Sequence, residues 1–178
     1  LPFKLELSDG TNVEITEQMV EKKMVHNSIA GEWFTPHVIE PAFGIDRIIW
    51  HILDHAYEET EKEGENYNLL KLKESVAPAD VIVLPLFEKD GMGMAARKLN
   101  SQINQIKGIK CLIDSSKSIG RRYARADEIG VPWAITVDHQ SLEDNTVTIR
   151  RRDDQKQIRA EINELLILIN SNMVSTLF

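Results

Sequence analysis

From Ala79 onward the chain alternates short, unbroken apolar runs with segments of helical periodicity, and few folds accept that pattern. "ADVIVLPLF" is apolar over consecutive positions, as a strand covered on both faces requires. A helix-patterned segment follows from Met92 to Ile106, then the strand "IKCLID", a helix within "SIGRRYARADEIG", and the strand "WAITVD". A turn at "LEDN" leads to the alternating strand "TVTIRR" and a final helix, in which Ile158, Ile162, Leu165 and Ile169 recur at helical intervals. Strands alternating with helices specify an α/β fold. The closing hairpin makes the β-sheet mixed, with helices flanking it.

The preceding residues are organised differently. "FKLEL" alternates apolar and polar and ends at the turn signal "SDG", so it reads as a short strand. "VEITEQMVEKKMV" carries strand and helix signals together. In "FTPHVIEPAFGIDRIIWHILDHAYEE" two prolines bracket an extended "HVIE", and beyond Gly44 the residues Ile45, Ile48, Ile49, Ile52, Leu53 and Ala56 follow helical spacing. That is a strand running into an amphipathic helix. The charged "EETEKEGENYN" suits a solvated linker or loop. Charge divides along the same line: residues 1–75 hold 7 Lys/Arg against 15 Asp/Glu, net −8, and residues 76–178 hold 14 against 13, net +1. The expectation is one part spanning 1–75 and a second spanning 76–178.

In the second part positive charge is clustered: Lys107, Lys110, Lys117, Arg121, Arg122 and Arg125, then Arg150, Arg151 and Arg152. On a helix Ile119, Tyr123 and Ala126 form an apolar stripe, while Arg121, Arg122 and Arg125 share an arc about 100° wide. Such an arc is either a solvated face balanced by Asp127 and Glu128 or a phosphate-binding surface, since local field rather than total charge governs polyanion binding. Gly44-Ile45-Asp46-Arg47 sets an arginine in the first turn of a helix, beside unsatisfied backbone N–H groups. That combination suits a phosphate, or else Arg47 pairs with Asp46 or Glu40.

Several classes are excluded. No apolar run reaches the roughly 18 residues of a membrane span, and "LPFKLELSDG" lacks the order of a signal peptide. The expected setting is therefore cytoplasmic. The single cysteine, Cys111, lies in an apolar pattern and reads as buried core. "HILDH" has the i, i+4 histidines of a zinc site but Ile52 where the protease pattern needs glutamate, so His51 and His55 read as a surface pair. "KDGMGM" fits neither nucleotide fingerprint and reads as a turn opening a helix.

Two stretches together are recognisable. "FTPHVIEPAFGIDRIIWHILDHAY" resembles motif 3 of class II aminoacyl-tRNA synthetases in its glycyl form. "VAPADVIVLPL", "DSSKSIGRRYARADEIGVPWAITVD" and "TVTIRRRDDQKQIRAEI" are similar to the anticodon-binding domain of the same enzymes. The resemblance implies the C-terminal part of a class II catalytic domain over 1–75 and an anticodon-binding domain over 76–178. It implies activation of glycine with ATP, with Mg2+ accompanying the nucleotide, and transfer of glycine to tRNA(Gly) by a homodimer. Under it Arg47 and Gly44 contact ATP, Glu40 holds the glycine ammonium, and Arg121, Arg122 and Arg125 contact tRNA. Ala42 stands where relatives usually place serine, and Lys117 where they often have glycine. Motifs 1 and 2 are not identifiable in these residues, so the chain is expected to be a fragment, inactive alone. The alternatives are a non-catalytic RNA-binding protein built from a synthetase tail, or a prolyl or threonyl synthetase.

Overall fold

The computed structural model describes residues 3–28, 30–62 and 64–178. Leu1 and Pro2, at the start of the stretch lacking signal-peptide order, and Glu63, within the expected linker, lie outside the described residues. Two compact units are present, up to Pro41 and from Ala42 to Phe178.

In the first unit β1 (Phe3–Glu6) and β2 (Asn12–Ile15) form an antiparallel hairpin, with Leu5 opposite Val13. Gly10, at φ +81°, provides the left-handed position of its turn. The mixed signals of the next segment resolve into β2 and a single 3-10 turn at Glu17–Met19. The extended "HVIE" is not a strand: among the described residues none pairs with 37–40, and alternation without a ladder partner makes no sheet.

The second unit opens with α1 (Ile45–Ala56), the expected amphipathic helix. It continues directly into β3 (Tyr57–Lys62) and β4 (Glu65–Leu70), an antiparallel hairpin where a linker was expected. The charges of β3 are tolerated because its described side chains face solvent, whereas Leu69 of β4 is buried and Tyr67 half-buried.

The rest is the expected α/β succession around one sheet: β5 (Val81–Pro85), α2 (Met92–Asn104), β6 (Cys111–Ile113), α3 (Ile119–Glu128) and β7 (Trp133–Val137). There follow α4 (His139–Asp144), β8 (Thr146–Arg151), β9 (Gln157–Glu161) and α5 (Ile162–Asn170). The order is β6-β5-β7-β8-β9, parallel across β6, β5 and β7 and antiparallel beyond, a mixed sheet as the pattern requires. Two details differ from expectation. The turn at "LEDN" is the end of a short helix that Asp138 caps, and Asn145 closes it in the left-handed conformation. Ile158 belongs to β9, not to the last helix, because β8 gives it an antiparallel partner in Ile149.

Both faces of the sheet are covered, which explains the unbroken apolar runs. Val81 and Val83 of β5, Trp133, Ile135 and Val137 of β7, and Val147 and Ile149 of β8 meet Leu99 and Ile103 of α2 and Leu165 and Ile169 of α5. The alternate residues Ile82, Leu84 and Ala134 meet Ala126 of α3 and Val131. Fully burying an aliphatic side chain is worth about 1.5–3 kcal/mol, so this double layer supplies most of the module's stability. Cys111 is buried within it, and burial pushes its thiol up to about 12.

Candidate nucleic-acid interface

The apolar stripe of α3 fixes the helix as expected. Ala126 is buried, Ile119 and Tyr123 pack beside it, and the Tyr123 hydroxyl lies 2.5 Å from Thr136 Oγ1 on β7. The three arginines then separate. Arg121 is exposed and makes no hydrogen bond or ion pair among the described residues. Arg125 is partly exposed, and its Nη2 donates to Asp114 Oδ2 at 2.6 Å and to Ser116 Oγ at 2.7 Å. Burial raises the Asp114 pKa, but hydrogen bonds from Ser116 and Arg125 more than offset it and leave the carboxyl below its ordinary range.

Arg122 is only 3% exposed. Its guanidinium donates to the carbonyl of Pro85, to that of Leu86 at 3.3 Å and to those of Asp114 and Lys117 at 3.4 Å, so it closes the C-terminal ends of β5 and β6. A helical wheel contains the signal: Arg122 lies about 40° from Ala126 and Arg121 about 140° from it, so the first borders the buried stripe. Lys117, where the resemblance often has glycine, sits at φ +61°, the left-handed region that glycine enters freely.

The second arginine cluster is structural in two of its three members. Arg150, 2% exposed, forms a bidentate pair with Asp127 at 2.9 and 2.8 Å, and Asp127 also accepts from the Tyr67 hydroxyl. Burial, and then the hydrogen bond to Asp127, push the Tyr67 hydroxyl well above the ordinary tyrosine range. Arg152 donates to the carbonyls of Gly130 at 2.9 Å and Leu72 at 2.8 Å. These bonds tie the β3–β4 hairpin to the sheet. Strand alternation carried part of this: Arg150 lies opposite in phase to Val147 and Ile149 and so faces α3.

At the other candidate centre, Gly44 is the N-cap of α1 and has no side chain to satisfy the first turn. Ile48 N–H bonds to the Gly44 carbonyl at 3.1 Å. Arg47 is exposed and forms no hydrogen bond or ion pair with any described residue of its unit. Gly44 and Arg47 are therefore together at one helix start. Glu40, also exposed, belongs to the first unit. His51 and His55 stack along α1 with ring centroids 6.3 Å apart. No helix among the described residues is long and apolar enough to cross a membrane.

The module is thus a mixed five-stranded sheet with helices on both faces, with Arg121 exposed on α3 and Arg122 buried at the strand ends. Residues 80–172 match the anticodon binding domain family, and the chain belongs to that family. Over almost its whole length the chain is similar to glycine–tRNA ligases. It is 43% identical over 169 residues to that of Methanothrix thermoacetophila, covering 95% of this chain and 29% of that protein. It is 48% identical over 158 residues to that of Methanocaldococcus jannaschii, covering 89% and 26%. The chain thus spans less than a third of the length of these relatives. A solved RNA-binding domain of threonyl-tRNA synthetase from Cryptosporidium parvum is similar at 21% identity and TM-score 0.49, over 53% of this chain and 23% of that one.

Proposed function

We propose that the chain is the C-terminal part of a glycine–tRNA ligase, a class II synthetase, with the end of the catalytic domain over 1–75 and the anticodon-binding module over 76–178. The observation that carries this is identity above 40% to glycine–tRNA ligases across nine-tenths of the chain. In this reading the complete protein attaches glycine to the α-phosphate of ATP with loss of pyrophosphate, then passes glycine from the adenylate to tRNA(Gly) with release of AMP. It acts as a cytoplasmic homodimer.

The Arg47 guanidinium and the free N–H groups after Gly44 would offset phosphate charge as it develops, a role suited to a fixed cation beside a helix start. Glu40 would pair with the glycine ammonium, an ionic contact stronger than the serine hydroxyl replaced by Ala42. Mg2+ would enter bound to the ATP phosphates. On the RNA side, Arg121 and the exposed part of Arg125 would meet tRNA phosphates, while Arg122 holds the helix in place. The test is amino-acid-dependent ATP–pyrophosphate exchange by the complete protein. Exchange with glycine and not with proline or threonine is expected. Exchange with proline or threonine would overturn the substrate, and tRNA binding without any exchange would make the protein a non-catalytic RNA binder.

A further inference from the structure

The histidine pair of α1 has no part in the proposed reaction, and the helix sets it apart from the apolar stripe. His51 and His55 stand four residues apart, about 40° from each other on the helical wheel. They lie about 90–130° from the middle of the stripe, which falls between Ile45 and Ala56. A remainder of a catalytic domain packed on that stripe would therefore leave the pair in water. Arg47 precedes His51 by one turn, so the pair is also clear of the helix start.

Both rings are exposed and stack with centroids 6.3 Å apart and planes 26° apart, and neither makes a hydrogen bond or ion pair with a described residue of its unit. Exposed side chains change rotamer within picoseconds to nanoseconds. A metal ion with nitrogen ligands at about 2.0–2.1 Å needs the two nitrogens about 3 Å apart, which rings at i and i+4 reach by side-chain rotation alone. No third histidine, cysteine, aspartate or glutamate among the described residues completes a metal group, so water fills the remaining positions. The surroundings select the ion. Arg47 and Asp54 flank the pair on the helix, Lys73 lines the same cleft as His55, and Lys71 is occupied by Glu58 at 2.5 Å. With cations on both sides, charge alone holds no dication there. Coordination by imidazole nitrogen does, and it favours Cu2+, Ni2+ and Zn2+ over the oxygen-seeking Mg2+.

We propose that His51 and His55 together bind one late first-row divalent metal ion, Cu2+ above Ni2+ and Zn2+, and that the ion clips the second half of α1. The helix gains from such a clip. None of its residues is buried, its N-cap Gly44 has no side chain to accept from the first turn, and a helix of 12 residues is marginal without packing. A metal that bridges i and i+4 fixes a whole turn, so metal binding and helix formation are linked. The site is separate from the Mg2+ that would accompany ATP, and it stands whether or not the glycine reading does.

The test titrates chain 1–178 with Cu2+, Ni2+, Zn2+ and Mg2+, each alone, by calorimetry, and repeats the titrations with His51→Ala, His55→Ala and His139→Ala. Alanine is the best helix former, so the two α1 variants keep the helix. The unmodified chain is expected to bind Cu2+ more tightly than Ni2+ or Zn2+, and Mg2+ not at all. Removing even a group hydrogen-bonded behind a metal ligand costs about tenfold or more, so His51→Ala and His55→Ala should each weaken Cu2+ binding by at least about tenfold, with His139→Ala unchanged. At free Zn2+ about ten times its dissociation constant, amide hydrogen exchange across residues 51–55 should slow by about tenfold in the unmodified chain and in neither α1 variant. Undiminished Cu2+ affinity in either α1 variant, or equal affinity of the unmodified chain for Mg2+ and Cu2+, overturns the site. Zn2+ binding that leaves exchange in α1 unchanged overturns the clip.

Discussion

Arg121 and Arg122 are adjacent in sequence and do opposite things. Arg122 lies under the strand ends with its two terminal nitrogens on four backbone carbonyls, and Arg121 projects from the same helix without a partner among the described residues. Replacing Arg122 by alanine strands buried carbonyls and removes charged donors, so a loss of about 3 kcal/mol in urea unfolding is expected. Arg121→Glu should leave unfolding within about 0.5 kcal/mol of the parent, yet lower the salt slope of RNA binding by roughly 0.7 to 0.9. Equal unfolding midpoints for the two variants would contradict this division. Sequence alone grouped the three arginines by arc; a count of which arginine borders Ala126 would have separated them. Arg150 and Arg152 were less legible, because their acceptors, Asp127, Gly130 and Leu72, lie 22 to 80 residues away in the chain.

The elements of the sheet were readable because each carries its own period: β5 and β7 are apolar throughout, and α2 and α3 each have one apolar stripe. The β3–β4 hairpin was hidden by composition, since Leu69 is buried and Tyr67 half-buried while its charged residues resemble a linker. It has a consequence for stability. Removing residues 1–75 deletes the Tyr67 hydroxyl from Asp127 and the Leu72 carbonyl from Arg152. A piece spanning 57–178 should therefore unfold above one spanning 76–178 by about 2 kcal/mol or more, about 8 °C or more for a module of this size. Matching midpoints would mean that the hairpin adds nothing.

Asp138, which caps α4, shows how an element end is held from a distant strand. Arg159 of β9 donates to its two carboxylate oxygens at 2.8 and 2.9 Å, and Ser141 N–H to Oδ1 at 2.9 Å. The hydrogen bond from Arg159, ahead of the other causes, holds its carboxyl far below the ordinary carboxylate range. A depressed carboxyl contributes stability above its unfolded pKa and loses it as pH falls from there toward the folded value. Asp138→Asn should accordingly be less stable than the parent at neutral pH, with the gap closing below about pH 4 in urea unfolding. Parallel stability curves down to acid would show that the pair carries no such linkage.

Taken as a whole molecule, the chain joins two chemistries. One is an exposed helix start bearing Gly44 and Arg47, and the other is a packed module of the anticodon binding domain family bearing Arg121. Helix α1 keeps Ile45, Ile48, Ile49, Ile52 and Leu53 at least 40% exposed, although its pattern is strongly amphipathic. In the proposed reading, that stripe belongs against the remainder of a catalytic domain. The most direct measurement compares Arg47→Ala and Arg121→Glu in the complete protein, by glycine-dependent ATP–pyrophosphate exchange and by tRNA(Gly) affinity across a salt titration. The account expects Arg47→Ala to lose about tenfold or more in exchange, about 1.4 kcal/mol of transition-state stabilisation, with tRNA affinity unchanged. Arg121→Glu is expected to do the reverse, weakening tRNA binding with exchange intact. Undiminished exchange in Arg47→Ala, or parental tRNA affinity at every salt concentration in Arg121→Glu, would contradict it.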